Sequence, residues 1–171
     1  MRPRLSEASE RRFWREVESV YDASRLKECR RLIQHGDVSV YRHCVAVAYL
    51  SCCLEESMHI PVDEPAMVRA ALLHDYFLYD WHEKDPSHRL HGFTHPACAL
   101  ANAMQDFPLT GEEQNIILRH MFPLTPIPPA HREGWIVCLA DKICSLWETA
   151  HLNSDTYGRE PLRFRRAPHT T

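Results

Sequence analysis

Six side chains in this sequence are of the types that grip metal ions: His43, His74, Asp75, His95, His120 and Asp141. Imidazole nitrogen combined with carboxylate oxygen suits iron, manganese, zinc, cobalt or nickel, whereas magnesium and calcium prefer shells of oxygen alone. His74 and Asp75 are adjacent. Neighbours on a helix point about 100° apart, so from mid-helix they cannot face one partner. At a helix end, or between two ions, each can reach its own metal, and a carboxylate can bridge where an imidazole ordinarily does not. No CxxC pair exists, which argues against a thiolate zinc site. Lys142 directly follows Asp141, and Arg119 directly precedes His120, so both are candidate contacts for an anionic group. His82, Lys84 and His91 are weaker candidates from a polar stretch, and His91 shares a helical face with His95 if that helix starts early. His59, His88, His131, His151 and His169 receive no role.

The elements that must position these residues read as helices. Ser6 to about Ala23 carries Phe13, Val17, Val20 and Tyr21 at helical spacing. A short helix follows over about Ser24 to Gln34, with His35-Gly36 as its C-cap signal. The next runs from Val40 to Met58. Asp63 and Pro65 open another, which continues to about Tyr76. Tyr79 to Phe93 is polar and aperiodic and reads as a long loop, a feature that often carries function. Thr94 is the expected cap of a helix over His95 to Gln105. Thr110 and Glu113 form a capping box for a helix ending near His120. Pro123 to Pro129 interrupts the chain, and a last helix covers about His131 to His151, before a polar basic tail with Arg159, Arg163, Arg165 and Arg166. No strand is expected. The sum is an all-α, single-domain chain over 1–171 with about six to seven helices, its core at 38–147, N-terminal helices at 6–34 and the tail at 153–171.

Composition narrows the partners. Twenty Lys and Arg against 23 Asp and Glu give a net charge of −3, with no sign of a surface for a nucleic-acid polymer or a membrane. An anionic substrate therefore needs local positive charge, from metal or from placed Lys and Arg. Seven cysteines are an odd number, and six of them fall in apolar helical patterns, so they read as buried free thiols in a reducing cytoplasm. The opening MRPRLSEASERR lacks an apolar stretch, so neither a signal peptide nor a membrane span is expected.

Taken in order, the lone His in Tyr41-Arg42-His43-Cys44-Val45-Ala46, the pair in Ala71-Leu72-Leu73-His74-Asp75 and the late Asp in Leu139-Ala140-Asp141-Lys142-Ile143 resemble the HD superfamily of metal-dependent phosphohydrolases. His95-Pro96-Ala97-Cys98-Ala99-Leu100 and Ile117-Leu118-Arg119-His120 resemble the elements that two-metal members add. The resemblance covers about residues 38–147. It implies a first metal on His43, His74, Asp75 and Asp141, and a second on His95 and His120, with Asp75 bridging. Two departures stand out. The pair is followed by Tyr76-Phe77-Leu78-Tyr79-Asp80-Trp81-His82 rather than Ile-Gly-Lys, and Met121-Phe122-Pro123-Leu124 replaces the GYP element of cyclic dinucleotide phosphodiesterases.

The implied activity is hydrolysis of a phosphate ester by a metal-bound hydroxide, with one or two divalent transition-metal ions. Asp75 would orient that hydroxide or take its proton, and Lys142 and Arg119 would contact the phosphoryl group. The substrate would be a small phosphorylated molecule. Ala140-Asp141-Lys142-Ile143 is similar to the late motif of diadenosine tetraphosphatases, which points to a nucleotide or dinucleoside polyphosphate. Two alternatives stay open: an HD-fold di-iron oxygenase using the same ligands, and a non-catalytic metal- or nucleotide-binding module. A homodimer also stays open.

Overall fold

A computed structural model describes residues 4–83 and 90–150. Four of the helices start where a side chain takes up an otherwise unpaired backbone N–H. Helix α1 (Glu7–Ala23) is capped by Ser6, which accepts from the Ser9 N–H. Ser39 caps α2 (Val40–Met58) at the Arg42 N–H, and Asp63 caps α3 (Glu64–Leu73) at the Ala66 N–H. The capping box of α5 (Gly111–Arg119) is complete: Thr110 accepts from the Glu113 N–H, and the Glu113 carboxylate accepts from the Thr110 N–H. Helices α4 (His91–Asp106) and α6 (Arg132–Thr149) complete the six α-helices among the described residues. The architecture is therefore all-α, as the sequence predicts.

Helix α2 is the axis of the molecule. Every residue from Val40 to Cys53 except Arg42 is buried, as expected of a helix apolar all round. It packs most extensively against α3 and α6. Helices α3 and α5 pair with each other, as do α4 and α5. Burial of Phe13, Tyr49, Met67, Leu72, Ile116 and Ile117 makes one continuous core. All seven cysteines are free, six of them buried, in line with the expected apolar role. No described helix is long and apolar enough to cross a membrane.

Three boundaries differ from the sequence reading. The helix expected over Ser24 to Gln34 is instead a 3₁₀ turn, Leu26–Arg30, followed by an antiparallel hairpin of β1 (Ile33–His35) and β2 (Val38–Ser39). Ser24 ends α1 by donating to the Val20 carbonyl while accepting from the Leu26 N–H. Gly36 turns the hairpin at φ 59°. A helix C-cap and a tight hairpin turn both ask for this left-handed conformation, so His35-Gly36 reads equally well as either.

Helix α3 stops at Leu73, three residues short of Tyr76, and leaves His74 as its C-cap. Helix α4 starts at His91, inside the expected loop. Thr94 is not its cap: the hydroxyl donates to the Leu90 carbonyl one turn back, and Pro96 sits as the sixth residue of the helix. Proline favours a first turn, which is why His95-Pro96 reads as a start. Lys84 and His88, and the tail residues from 151 onward, lie outside the described residues.

Candidate metal centre

Five segments deliver the six predicted residues to one place, and all six are buried. His43 comes from the middle of α2, His74 from the C-cap of α3, and Asp75 from the first residue beyond it. His95 comes from the second turn of α4, His120 from the C-cap of α5, and Asp141 from the middle of α6. Two overlapping sets have ligand atoms within 4.8 Å of one another: His43, His74 and Asp141, and His74, Asp75 and His120.

Asp75 faces both sides of this cluster. Its Oδ2 lies 3.4 Å from His74 Nε2 and 3.6 Å from His43 Nε2, while its Oδ1 lies 3.1 Å from His95 Nε2 and 3.6 Å from His120 Nε2. Asp141 Oδ1 is 3.1 Å from His43 Nε2 and 3.8 Å from His74 Nε2. An adjacent His-Asp pair can do this because the helix ends between them, which frees Asp75 from the helical angle that separates neighbours.

Backbone carbonyls fix which ring nitrogen each histidine offers. His74 Nδ1 is 2.7 Å from the Ala71 carbonyl, His95 Nδ1 is 2.8 Å from that of His91, and His120 Nδ1 is 2.8 Å from that of Ile117. A carbonyl only accepts, so each Nδ1 carries the proton and, in the neutral ring, each Nε2 presents a lone pair. His95 Nε2 and His120 Nε2 stand 3.0 Å apart. Two lone pairs at that distance repel, and a cation between them converts the repulsion into attraction. His74 Nε2 and Asp75 Oδ1 are moreover buried without a hydrogen-bond partner. Buried polar atoms of this kind need a partner, and these converge with carboxylates. The donor set therefore fits a divalent transition metal.

Electrostatics favours positive charge at the same point. Burial alone lowers the His43 imidazole, but hydrogen bonds and charge from Asp141 and Glu148 outweigh it and lift the ring to about 10. Burial and the neighbouring His74 depress His120 to about 3, so its ring stays neutral. Burial pushes both carboxylates up, yet Asp75 is held well below its ordinary value by His74 and His95, and Asp141 by His43 and His74.

Beside this cluster opens a pocket of about 860 Å³. Its polar lining includes Gln34, Lys142 and Ser145 besides the ligand residues, and its apolar lining includes Trp81, Met121 and Leu124. Lys142 Nζ donates to the His120 carbonyl at 3.0 Å and lies 4.0 Å from Asp141 Oδ2. Arg119 is half-buried and is not among the residues lining the pocket. His91 does line the pocket. Its ring stacks on His95 at 4.7 Å and on Trp81 at 5.1 Å, and its Nδ1 is 2.9 Å from the Tyr79 hydroxyl. His82 is exposed and bound to Asp80. His59 caps α2 with φ 55°, and His131 is the exposed N-cap of α6.

Three residues of the site were not singled out from sequence. Glu148 Oε2 is 2.8 Å from His43 Nδ1, with both side chains fully buried. Ser145 donates to Asp141 Oδ1 at 3.3 Å. Asp141, Ser145 and Glu148 stand at i, i+4 and i+7 on α6, a one-face spacing that was available in the sequence. Gln34 donates from β1 to Asp75 Oδ2. No comparable signal marked it, since the segment read as helix.

The model for the family described as HD domain matches residues 40–146. No curated protein and no solved structure matches the chain.

Proposed function

The chain belongs to the HD domain family, and on that premise we propose that it is a metal-dependent phosphohydrolase with a binuclear centre, acting on a small phosphorylated molecule. The observation that carries this reading is the division of Asp75 between His43 and His74 on one oxygen and His95 and His120 on the other. A carboxylate so placed can be shared by two ions. His43, His74 and Asp141 complete one ligand set, and His95 and His120 the other.

When bound, the metal supplies Lewis acidity: it lowers the pKa of water toward neutrality and polarises a phosphoryl oxygen. The remaining work belongs to the chain. Backbone carbonyls hold the Nδ1 protons of His74, His95 and His120, so those rings enter the site in one tautomer. Glu148 does the same for His43. Lys142, pinned by the His120 carbonyl, places an ammonium group beside the ligands, where an incoming phosphoryl group develops negative charge. Arg119 is left out of this role. Trp81, Met121 and Leu124 offer an apolar surface for the organic part of the ester, which suits a nucleotide or dinucleoside polyphosphate.

The test begins with metal analysis of protein purified without chelator. Phosphate release from a panel of mono- and diesters is then measured with manganese, cobalt or iron. We expect about two ions per chain and metal-dependent hydrolysis, both lost in Asp75→Ala. A chain that binds no metal, or an Asp75→Ala variant with full metal content and activity, overturns the reading. The same divided carboxylate would equally hold two irons. Oxygen-dependent turnover in place of phosphate release would therefore assign the site to an oxygenase.

A further inference from the structure

Gln34 lies upstream of the residues that match the family model, yet it reaches the heart of the site. It is 7% exposed and lines the pocket. Its Nε2 donates to Asp75 Oδ2. A carboxylate oxygen can only accept, so this contact settles which end of the amide is nitrogen. The carbonyl end, Oε1, is buried and has no hydrogen-bond partner among the described residues. Both amide atoms hang on one carbon, so this acceptor stands close to the carboxylate shared by the two ligand sets.

The neighbouring donors are turned elsewhere. Lys142 Nζ is directed to the carbonyls of His120 and Cys138, and the Ser145 hydroxyl to Asp141. A buried acceptor without a donor is costly, and at the wall of a ligand pocket the donor that satisfies it can come with the ligand. An O–H group on the organic part of a bound ester would be such a donor.

Resting on the phosphohydrolase reading, we propose that Gln34 is a specificity-determining residue: its Oε1 accepts a hydrogen bond from a hydroxyl on the carbon next to the ester carbon, so the site prefers phosphate esters of hydroxylated groups over their deoxy counterparts. Nε2 and Oε1 then work together. The first locks the amide against Asp75, and the second reads the substrate from that fixed position. A site built to bond a hydroxyl discriminates against the analogue that lacks it, because the acceptor is then left unpaired.

The experiment compares glycerol phosphate, which carries that hydroxyl, with 3-hydroxypropyl phosphate, which lacks it alone. Dissociation constants are measured by calorimetry on manganese-loaded protein, and phosphate release is followed in parallel. Wild type is expected to bind glycerol phosphate on the order of tenfold more tightly, the worth of one neutral hydrogen bond. In Gln34→Met, with metal content unchanged, the two affinities should converge, chiefly by loss for glycerol phosphate. Loss of the Asp75 contact weakens both ligands alike, so the ratio isolates Oε1.

Equal affinities in wild type overturn the proposal, and so does a ratio that survives in Gln34→Met. Equal losses for both ligands mean that Oε1 serves only a water at the metals, which also overturns it. The wild-type comparison stands even if the variant misfolds. Selective binding without phosphate release would sink the hydrolase reading and leave the hydroxyl contact in place. Hydrolysis of both esters without preference would do the reverse. Failure to bind either ester defeats both.

Discussion

Replacing Glu148 by Gln should weaken metal binding about tenfold without disturbing the fold. The Glu148 carboxylate is 2.8 Å from His43 Nδ1, and neither side chain has any exposed surface. In the protein as it stands, an anionic acceptor holds the Nδ1 proton, and this makes Nε2 a stronger donor to a metal. Gln keeps a carbonyl oxygen of nearly the same reach, so the ring stays oriented and only the charge is lost. A hydrogen bond to a charged group contributes about 1.5–3 kcal/mol, against about 0.5–1.5 kcal/mol for a neutral one. The difference is about 1–1.5 kcal/mol, close to a factor of ten in affinity. Glu148→Ala goes further, because it strands a buried N–H and frees the ring, and should approach the hundredfold end of such effects. The assay is competition for cobalt or manganese against a chromophoric chelator at fixed pH, with circular dichroism as a control for folding. Affinities within twofold of wild type in both variants would refute the reasoning: the carboxylate would then be packing, and His43 would be held by something else.

Lys142→Gln should lower kcat/KM for phosphate esters by about a hundredfold or more while metal content stays unchanged, since one placed charge near the phosphoryl group is removed; the pair of measurements separates substrate contact from metal retention. Asp106→Asn should destabilise the fold by about 1–2 kcal/mol, read by urea titration, because Asp106 Oδ2 accepts from the Tyr76 hydroxyl at 2.6 Å and from Arg25 Nε at 3.3 Å. Burial pushes the Asp106 carboxyl up, but those two donors outweigh it and hold it below its ordinary value. A group depressed in the folded state stabilises above its unfolded pKa and loses that contribution as pH falls through the folded one. The gap between wild type and Asp106→Asn should therefore be full at neutral pH and close under acid below about pH 4. Gly134→Ala should cost about 1–3 kcal/mol despite alanine's better helix propensity, because the new Cβ would meet Pro129 Cβ at 2.8 Å; an unchanged or raised melting temperature would show that the Pro-rich segment gives way.

Where a local rule had one physical solution, the sequence was readable. Thr110 with Glu113, and Asp63 with Pro65, admit little but a helix start, and both stand where expected. The six candidate ligands were legible because their ordered motifs resemble those of the HD family, and the fold brings all six together. What stayed hidden shares a cause. Gly36 satisfies a hairpin turn as well as a helix C-cap, so the hairpin was missed and Gln34 with it. Pro96 suggested a helix start that tertiary packing moved back to His91. Arg119 was judged by its neighbour in sequence, but of the two only His120 lines the pocket. Glu148 lies beyond the matched span, on the Asp141 face of α6, where helical periodicity was used to find core rather than to extend the site.

Three of the rings are clasped by the turn that precedes them: His74 by Ala71, His120 by Ile117 and His95 by His91. Each clasp spans a single helical turn, so the bite of the centre is set by secondary structure and needs no rearrangement when an ion arrives. Metal uptake should then cost little reorganisation, and a chelated chain should keep its helices. Any force that frays the last turn of α3 or α5 would loosen a ligand before it loosened the core.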